Sequence, residues 1–324
     1  MDTLSNFDVN RILIACHAET VLKGLDRPFI EVCNLTSKEI PSGFEYYLSG
    51  ISNLESPNWV WSELTTLVEG QKFLGDATYV GLQHYRRFFA LDIESSENPV
   101  IKRSLLERNI IAKKQAEYLE VFKNKVVVPA PETFAITVFA HFKKLHFDSL
   151  VGLEIACAEF NRRVGSRFGN INSLQSLKET KKLHPYNMFL GPHDFYREWL
   201  EILIPILSIL DENRDLFPIE GYQSRWAGFI VERIFSIYID FCKQEGKWRI
   251  LERPIYFLQN ELDYYQTQEA LEATQEALEA TQEALEATLN ESREQINVIH
   301  QSMSWKLSKP IRILSRLRTY FKFR

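Results

Sequence analysis

The chain has 324 residues, 45% of them apolar and 13% aromatic, with a net charge of −5, which is room for one large packed domain plus an appendage and too much aromatic content for general disorder. That charge is unevenly placed: residues 1–260 are near neutral, 261–294 hold ten acids and one arginine, and 295–324 hold seven bases and no acid. A near-neutral main body excludes an overall nucleic-acid footprint, no apolar run reaches the roughly 18 residues a membrane span needs, and four widely spaced cysteines without a CxxC pair fit reduced, buried thiols.

Residues 11–16 form a short unbroken apolar run and predict a buried strand, with a second over 29–33. Residues 59–70 predict a helix ending at Gly70. A strand is expected over 78–82, a long helix over 101–123, a strand over 125–129 around Val126, Val127 and Val128, and a short strand over 187–190. Two helices follow from residue 193. The clearer one, 222–242, places Trp226, Phe229, Ile230, Ile234, Ile237, Tyr238 and Phe241 on one face at helical spacing. Short apolar strands alternating with helices predict an α/β domain over 1–260, with a mixed sheet flanked by helices.

Near residue 260 the composition changes. Gln-Glu-Ala-Leu-Glu-Ala-Thr occurs three times, at 268–274, 275–281 and 282–288, so Leu271, Leu278 and Leu285 recur every seven residues. A strict heptad predicts a long coiled-coil helix over 261–303 and, through it, a homo-oligomer. With one Leu per heptad and Thr or Gln at the second seam position, the repeat specifies no oligomer number, and a solvated single helix is the plainer alternative. The tail, 304–324, mixes its bases with Trp305, Ile313, Leu314, Leu317, Tyr320 and Phe321, a composition suited to an anionic membrane surface or to packing on the preceding helix. The opening residues carry no basic stretch leading into an apolar run, so no signal peptide is expected and the chain is placed in the cytoplasm, peripheral on the inner membrane face if the tail binds lipid.

Several blocks resemble a bacterial family called domain of unknown function 4422, met in capsular and exopolysaccharide loci. The most specific is Tyr79-Val80-Gly81-Leu82-Gln83-His84-Tyr85-Arg86-Arg87-Phe88-Phe89, similar to the family's Tyr-Ile-Gly-Leu, one small residue, then His-Tyr-Arg-Arg. Gln83 departs from the small residue. Asn58 with Glu63-Leu64-Thr65, the block 183–189 around Tyr186-Asn187-Met188-Phe189, and Arg225-x-x-Gly228-Phe229-x-x-Glu232-Arg233 follow in the family's order. At the end of the first strand, Ile14-Ala15-Cys16-His17 is similar to Val-Ala-Thr-His, with Cys in place of Thr. The resemblance covers about residues 11–257. The segment 304–312 looks like the tail that follows many surface-polysaccharide glycosyltransferases.

Together these resemblances imply a GT-A-like (Rossmann-like) domain that transfers a sugar from a nucleotide sugar to a lipid-linked acceptor in capsular, exopolysaccharide or O-antigen synthesis. The alternative is a non-catalytic assembly or scaffold protein that gathers partners through its coiled coil. Such transfer needs positive charge on the leaving diphosphate, and a base for the acceptor hydroxyl in inverting enzymes. The sequence has no Asp-x-Asp, so a divalent metal is not expected. Arg86 and Arg87, just past the end of a strand, are the candidates for the metal's role, because guanidinium pairs bidentately with phosphate oxygens and ligands bind beyond strand carboxyl ends. Adjacent residues on a strand face opposite sides, so one of the two is expected to be scaffold. His84 is a candidate base or phosphate contact. His17, Glu63, Tyr85, Asn187, Arg225 and Glu232 are candidate substrate contacts, with structural ion pairing or turn-making as the alternatives. His141, His146 and Asp148 lie close in sequence but match no common metal-ligand spacing.

Overall fold

The unbroken apolar runs become the middle of one twisted sheet. In the computed structural model β1 (Asn10–His17) pairs in parallel with β2 (Phe29–Asn34) on one side and β4 (Tyr79–His84) on the other, and β3 (Tyr46–Leu48) extends the β2 edge in parallel. The residues described are 10–17, 25–35, 45–94, 98–168, 172–218, 220–260, 281–282, 284–298 and 308. Both faces of β1 are covered, as a fully apolar strand requires. Leu13 and Ala15 join a large core with the helices on one face. Ile12, Ile14 and Cys16 join a second core on the other face.

Beyond β4 the sheet changes direction. β10 (Phe189–Pro192) runs antiparallel to both β4 and β7 (Val126–Pro129), and β11 (Ile250–Arg253) is parallel to β7. The amino end of β10 therefore lies among the carboxyl ends of β4 and β7. Gly81 makes this close pairing possible: a Cβ there would sit 2.5 Å from the Phe189 carbonyl oxygen. After a two-residue turn β4 leads into β5 (Arg87–Phe89), which pairs with β12 (Ile255–Gln259); β12 in turn pairs in parallel with β6 (Val100–Ser104).

The mixed sheet flanked by helices is as expected, but several boundaries are not. The span 101–123 is not one helix. Val100 and Ile101 find a parallel partner in β12. Ser104 then starts a 3-10 turn through a capping box with Glu107, and α3 (Arg108–Phe122) follows. Pattern alone could not see the partner strand, because it lies about 150 residues later in the chain. Likewise 59–70 divides into α1 (Asn58–Trp61) and α2 (Glu63–Glu69) at Ser62, whose φ is +52°, and Gly70 opens a 3-10 turn instead of ending the helix. After the short pair β8 (Glu132–Thr133) and β9 (Lys182–Leu183), which encloses α4 (Val138–Leu145), α5 (Leu150–Phe168) and α6 (Ser173–Glu179), the two later helices are α7 (His193–Glu212) and α8 (Trp226–Glu245), the second entered through a 3-10 turn at Tyr222–Arg225.

The chain divides into two units, Met1–Glu261 and Leu262–Arg324. In the second, residues 284–298 are helical, with Leu285, Leu289 and Ile296 exposed. The remainder of the expected coiled coil, and the tail apart from Ser308, lie outside the described residues. Among the described residues no helix is long and apolar enough to cross a membrane.

Candidate functional site

Four chain segments meet at the carboxyl end of β4. The strand ends in His84, and the turn through Tyr85 and Arg86 brings Arg87 back beside it, with His84 and Arg87 as register partners. The segment entering β10 contributes Tyr186 and Asn187, both at positive φ (+74° and +50°). Two consecutive non-glycine residues in the left-handed region are costly and persist only where surrounding contacts fix them. Those contacts are present. The Tyr186 N–H donates to Glu232 (2.6 Å), its phenol donates to Glu132 (3.1 Å), and Asn187 Nδ2 donates to Glu63 Oε1 (3.0 Å) and to the Gly228 carbonyl (3.3 Å).

The other two segments supply charge. The break at Ser62 turns α2 so that Glu63 opens it, buried against Gly228 of α8, where an added Cβ would lie 3.5 Å from the carboxylate. Arg225, just before α8, donates to the Ser62 hydroxyl at 2.8 Å and lies 3.8 Å from Glu63. About two helical turns on, Glu232 and Arg233 enter the same space, paired with each other.

The result is a cavity of about 330 Å³ with two unlike ends. One end is ionic: Glu63, His84, Arg87, Arg225 and Glu232 line it, with Glu132 and Arg233 behind. The other end is aromatic. His141 stacks on Phe134 at 4.0 Å and His146 on Phe229 at 4.2 Å. Burial holds both imidazoles below their ordinary pKa, so they are neutral ring faces near pH 7.

Arg87 is held in place on several sides. Its guanidinium lies 4.5 Å from the Tyr186 ring centre and 5.1 Å from that of Phe257, and Nη1 donates to His84 Nδ1 at 3.2 Å. A guanidinium only donates. His84 Nδ1 is therefore the acceptor, and Nε2–H donates to the Tyr186 carbonyl at 2.9 Å. A half-buried, pre-positioned cation of this kind needs little reorganisation to meet an anion.

Two carboxyls of the cavity are driven apart in acidity. Burial pushes Glu63 up, but positive charge on His84 when that ring is protonated, the Asn187 amide and Arg225 outweigh it and hold the carboxyl below its ordinary pKa. For Glu232 burial wins: Arg233 and the Tyr186 N–H lower it, Glu63 and Glu132 raise it again, and the pKa lies above the ordinary value. Carboxyls separated in this way suit different tasks, one a fixed charge and the other a proton carrier.

The cavity thus brings together five residues singled out in the sequence: Glu63, His84, Arg87, Arg225 and Glu232. Arg225 and Glu232 do not bond to each other, as their spacing requires, yet both face the same space. Asn187 is 3% exposed and sits behind Glu63, with both amide bonds spent on scaffold. Tyr85 and Arg86 are not on the wall. They form the turn itself, where Tyr85 O accepts from Arg108, Arg86 O accepts from the Leu258 N–H, and the Arg86 guanidinium lies 5.2 Å from the Tyr85 ring. His17 ends β1, and its side chain lies outside the described residues.

Sequence reasoning missed Glu132, Tyr186 and the aromatic end. It considered His141 and His146 only as metal ligands. In the structure His146 Nδ1 bonds to Gln223 at 2.9 Å, and among the described residues no group of three His, Cys, Asp or Glu could hold a metal ion. Asn58 and Thr65, part of the resemblance, prove to be scaffold. Asn58 Nδ2 donates to the Leu35 and Leu48 carbonyls, and Thr65 donates to Asn58 Oδ1. The chain Ser236–His184–Glu252 has the connectivity of a nucleophilic triad, but Ser236 is 3% exposed and its Oγ accepts the His184 N–H, so it is closed to substrate.

The fold has a relative among solved structures. The apo structure of the bifunctional glycosyltransferase WbbM superposes with a TM-score of 0.58 at 18% identity, over 77% of this chain and 45% of that one. At that identity the likeness shows the fold, and this chain spans under half the length of its relative. No curated protein matches. The model of the family described as "Domain of unknown function (DUF4422)" matches residues 11–244, which is most of the first unit and more than half of the whole, and the chain accordingly belongs to that family.

Proposed function

We propose that the protein is a nucleotide-sugar-dependent glycosyltransferase of polysaccharide synthesis, acting on a lipid-linked acceptor, in which Arg87 and Arg225 meet the donor diphosphate without an Asp-x-Asp metal site. The observation that carries this reading is the ionic end of the cavity: a pre-positioned Arg87 beyond the carboxyl end of a central strand, facing a carboxyl of raised pKa. The WbbM likeness supports the fold such an enzyme needs.

The chemistry follows from these groups. The acceptor oxygen bonds to the anomeric carbon as the bond from that carbon to the diphosphate breaks. The nucleoside diphosphate leaves with its growing charge against Arg87 and Arg225. Glu232 takes the acceptor's proton, a task for which a raised pKa is suited. Glu63, kept ionised, orients Arg225 and Asn187. The second unit is read as an oligomerising helix with a tail that holds the enzyme at an anionic membrane surface.

The test is binding of a nucleoside-diphosphate panel, with and without Mn²⁺, followed by turnover of the sugar forms. Wild type should bind at least one member without metal. Arg87→Ala should weaken binding at least tenfold, about 1.4 kcal/mol. Glu232→Gln should bind like wild type but turn over at least a hundredfold more slowly, the lower range for loss of a general base. In wild type kcat/KM should rise with pH as Glu232 loses its proton. A folded protein that binds no nucleotide under any condition would sink the reading and favour the scaffold alternative.

A further inference from the structure

Trp59 is an indole left 46% exposed in an otherwise well-anchored segment. Residues 55–60 alternate: Glu55, Pro57 and Trp59 point outward, while Ser56, Asn58 and Val60 are buried. The inward set is pinned at many points. Asp211 accepts the Glu55 and Ser56 N–H groups at 2.7 and 2.9 Å, Asn58 ties to two carbonyls, and Trp61 Nε1 donates to Ser56 O at 3.0 Å. A large apolar ring held out to water by a rigid frame has no folding purpose of its own, and it contributes binding area at little entropic cost.

The ring borders a second cleft of about 240 Å³ whose floor is Trp226. Arg214, Glu55, Asp215 and Pro218 also line it. Arg214 is tied to Glu55 by an ion pair and donates to the Asp211 carbonyl at 3.1 Å. Aromatic and Pro faces beside paired carboxylates and a guanidinium match a pyranose ring, which offers an apolar C–H face and a rim of hydroxyls. The location also matters. Trp59 is four residues before Glu63, and Trp226 follows Arg225, so the linings of the two clefts adjoin along the chain at two places, and Trp61 between Trp59 and Glu63 packs edge-on against Trp226 at 5.8 Å. Four residues reach at most about 14 Å even when fully extended, a distance that a short oligosaccharide spans.

We propose that the Trp59 cleft is a saccharide subsite that holds the acceptor glycan beyond the sugar being extended. Its use as an acceptor subsite rests on the transferase reading; its binding of glycan does not. Trp59 stacks on the pyranose face, while Glu55, Asp215 and Arg214 take its hydroxyls.

The full-length protein would be applied to an array of bacterial pyranose oligosaccharides, with nucleoside-diphosphate binding measured in parallel. Wild type should bind oligosaccharides on the array. Trp59→Ala should lose at least tenfold in apparent affinity with an unchanged melting temperature and unchanged nucleotide binding, and Trp59→Phe should keep part of the affinity. Arg87→Ala should show the reverse pattern, with glycan retained and nucleotide lost. Absence of glycan binding in wild type, or wild-type binding by Trp59→Ala, overturns the subsite. Loss of nucleotide binding alone leaves the subsite standing and removes only the transferase reading.

Discussion

Glu252 shows how one residue couples a family block to the edge of the sheet. Its carboxylate bonds His184 Nε2 at 2.9 Å and Lys243 at 2.5 Å. The His184 hydrogen bond, working against burial and with help from Lys243, brings its pKa down to about 2 from an ordinary 4.5. A carboxyl whose pKa is lower in the folded state than in the unfolded one stabilises the fold above the unfolded value, and this contribution disappears as pH falls through the folded value. Stability should therefore decline between about pH 4.5 and pH 2. Glu252→Gln should cost roughly 1 kcal/mol at pH 7, because an exposed pair is screened well below the full linkage value, and it should flatten the acid limb of a urea-melt series. Equal losses at pH 7 and pH 2.5 would assign the residue a packing role instead. The sequence showed His184 within a family block but gave no hint of this partner, since Glu252 lies 68 residues away on another strand.

At the scale of elements, the motif around β4 is legible as both scaffold and chemistry. Alternation assigns Tyr79, Gly81 and Gln83 to the α3 side and Val80, Leu82 and His84 to the other, and the two cores divide accordingly. Gln83, the departure from the family's small residue, is compensated: its carbonyl accepts from Phe89 N (2.9 Å) and from Gln115 of α3 (3.1 Å). Gly81 has no such freedom. In Gly81→Ala the new methyl would meet backbone, which cannot move aside as a side-chain tip can. Overpacking of this kind costs about 1–3 kcal/mol or more. Because the Tyr186–Asn187 pair leads directly into β10, the variant should also weaken nucleotide binding, a double loss readable by thermal melting and titration. The strands at the centre of the sheet were readable because they are apolar on both faces. β6 and β11 were not, because they carry half-exposed residues and acquire their identity from distant partners; β12, though largely buried between β5 and β6, also takes its identity from strands far away in the chain. The cavity was legible to the same extent: Arg87, Arg225 and Glu232 belong to blocks that the family resemblance flags, whereas Glu132 and the Phe134–His141 stack enter only through tertiary packing.

For the whole molecule, charge is divided along the chain, and the proposed roles of the second unit respond to salt in opposite directions. The acids of 261–294 outnumber the bases ten to one, and one leucine per heptad gives a thin seam. Helices that associate through that seam bring like charges together, so self-association should strengthen as salt screens the repulsion. The tail carries seven bases and no acid over 295–324, and its attachment to an anionic bilayer should weaken with the same salt. Light scattering and vesicle co-sedimentation of full-length protein between about 50 and 500 mM salt, where the screening length falls from above to well below its value of ~10 Å at 0.1 M, read the two effects side by side. Full-length protein should gain mass and leave phosphatidylserine vesicles as salt rises. A chain ending at residue 303 should keep the first response and lose the second. One ending at residue 261, the last of the first unit, should lose both while keeping nucleotide and glycan binding. A full-length protein that stays monomeric at every salt concentration would show the repeat to be a solvated segment that does not associate, because its acids repel and one leucine per heptad does not offset that repulsion.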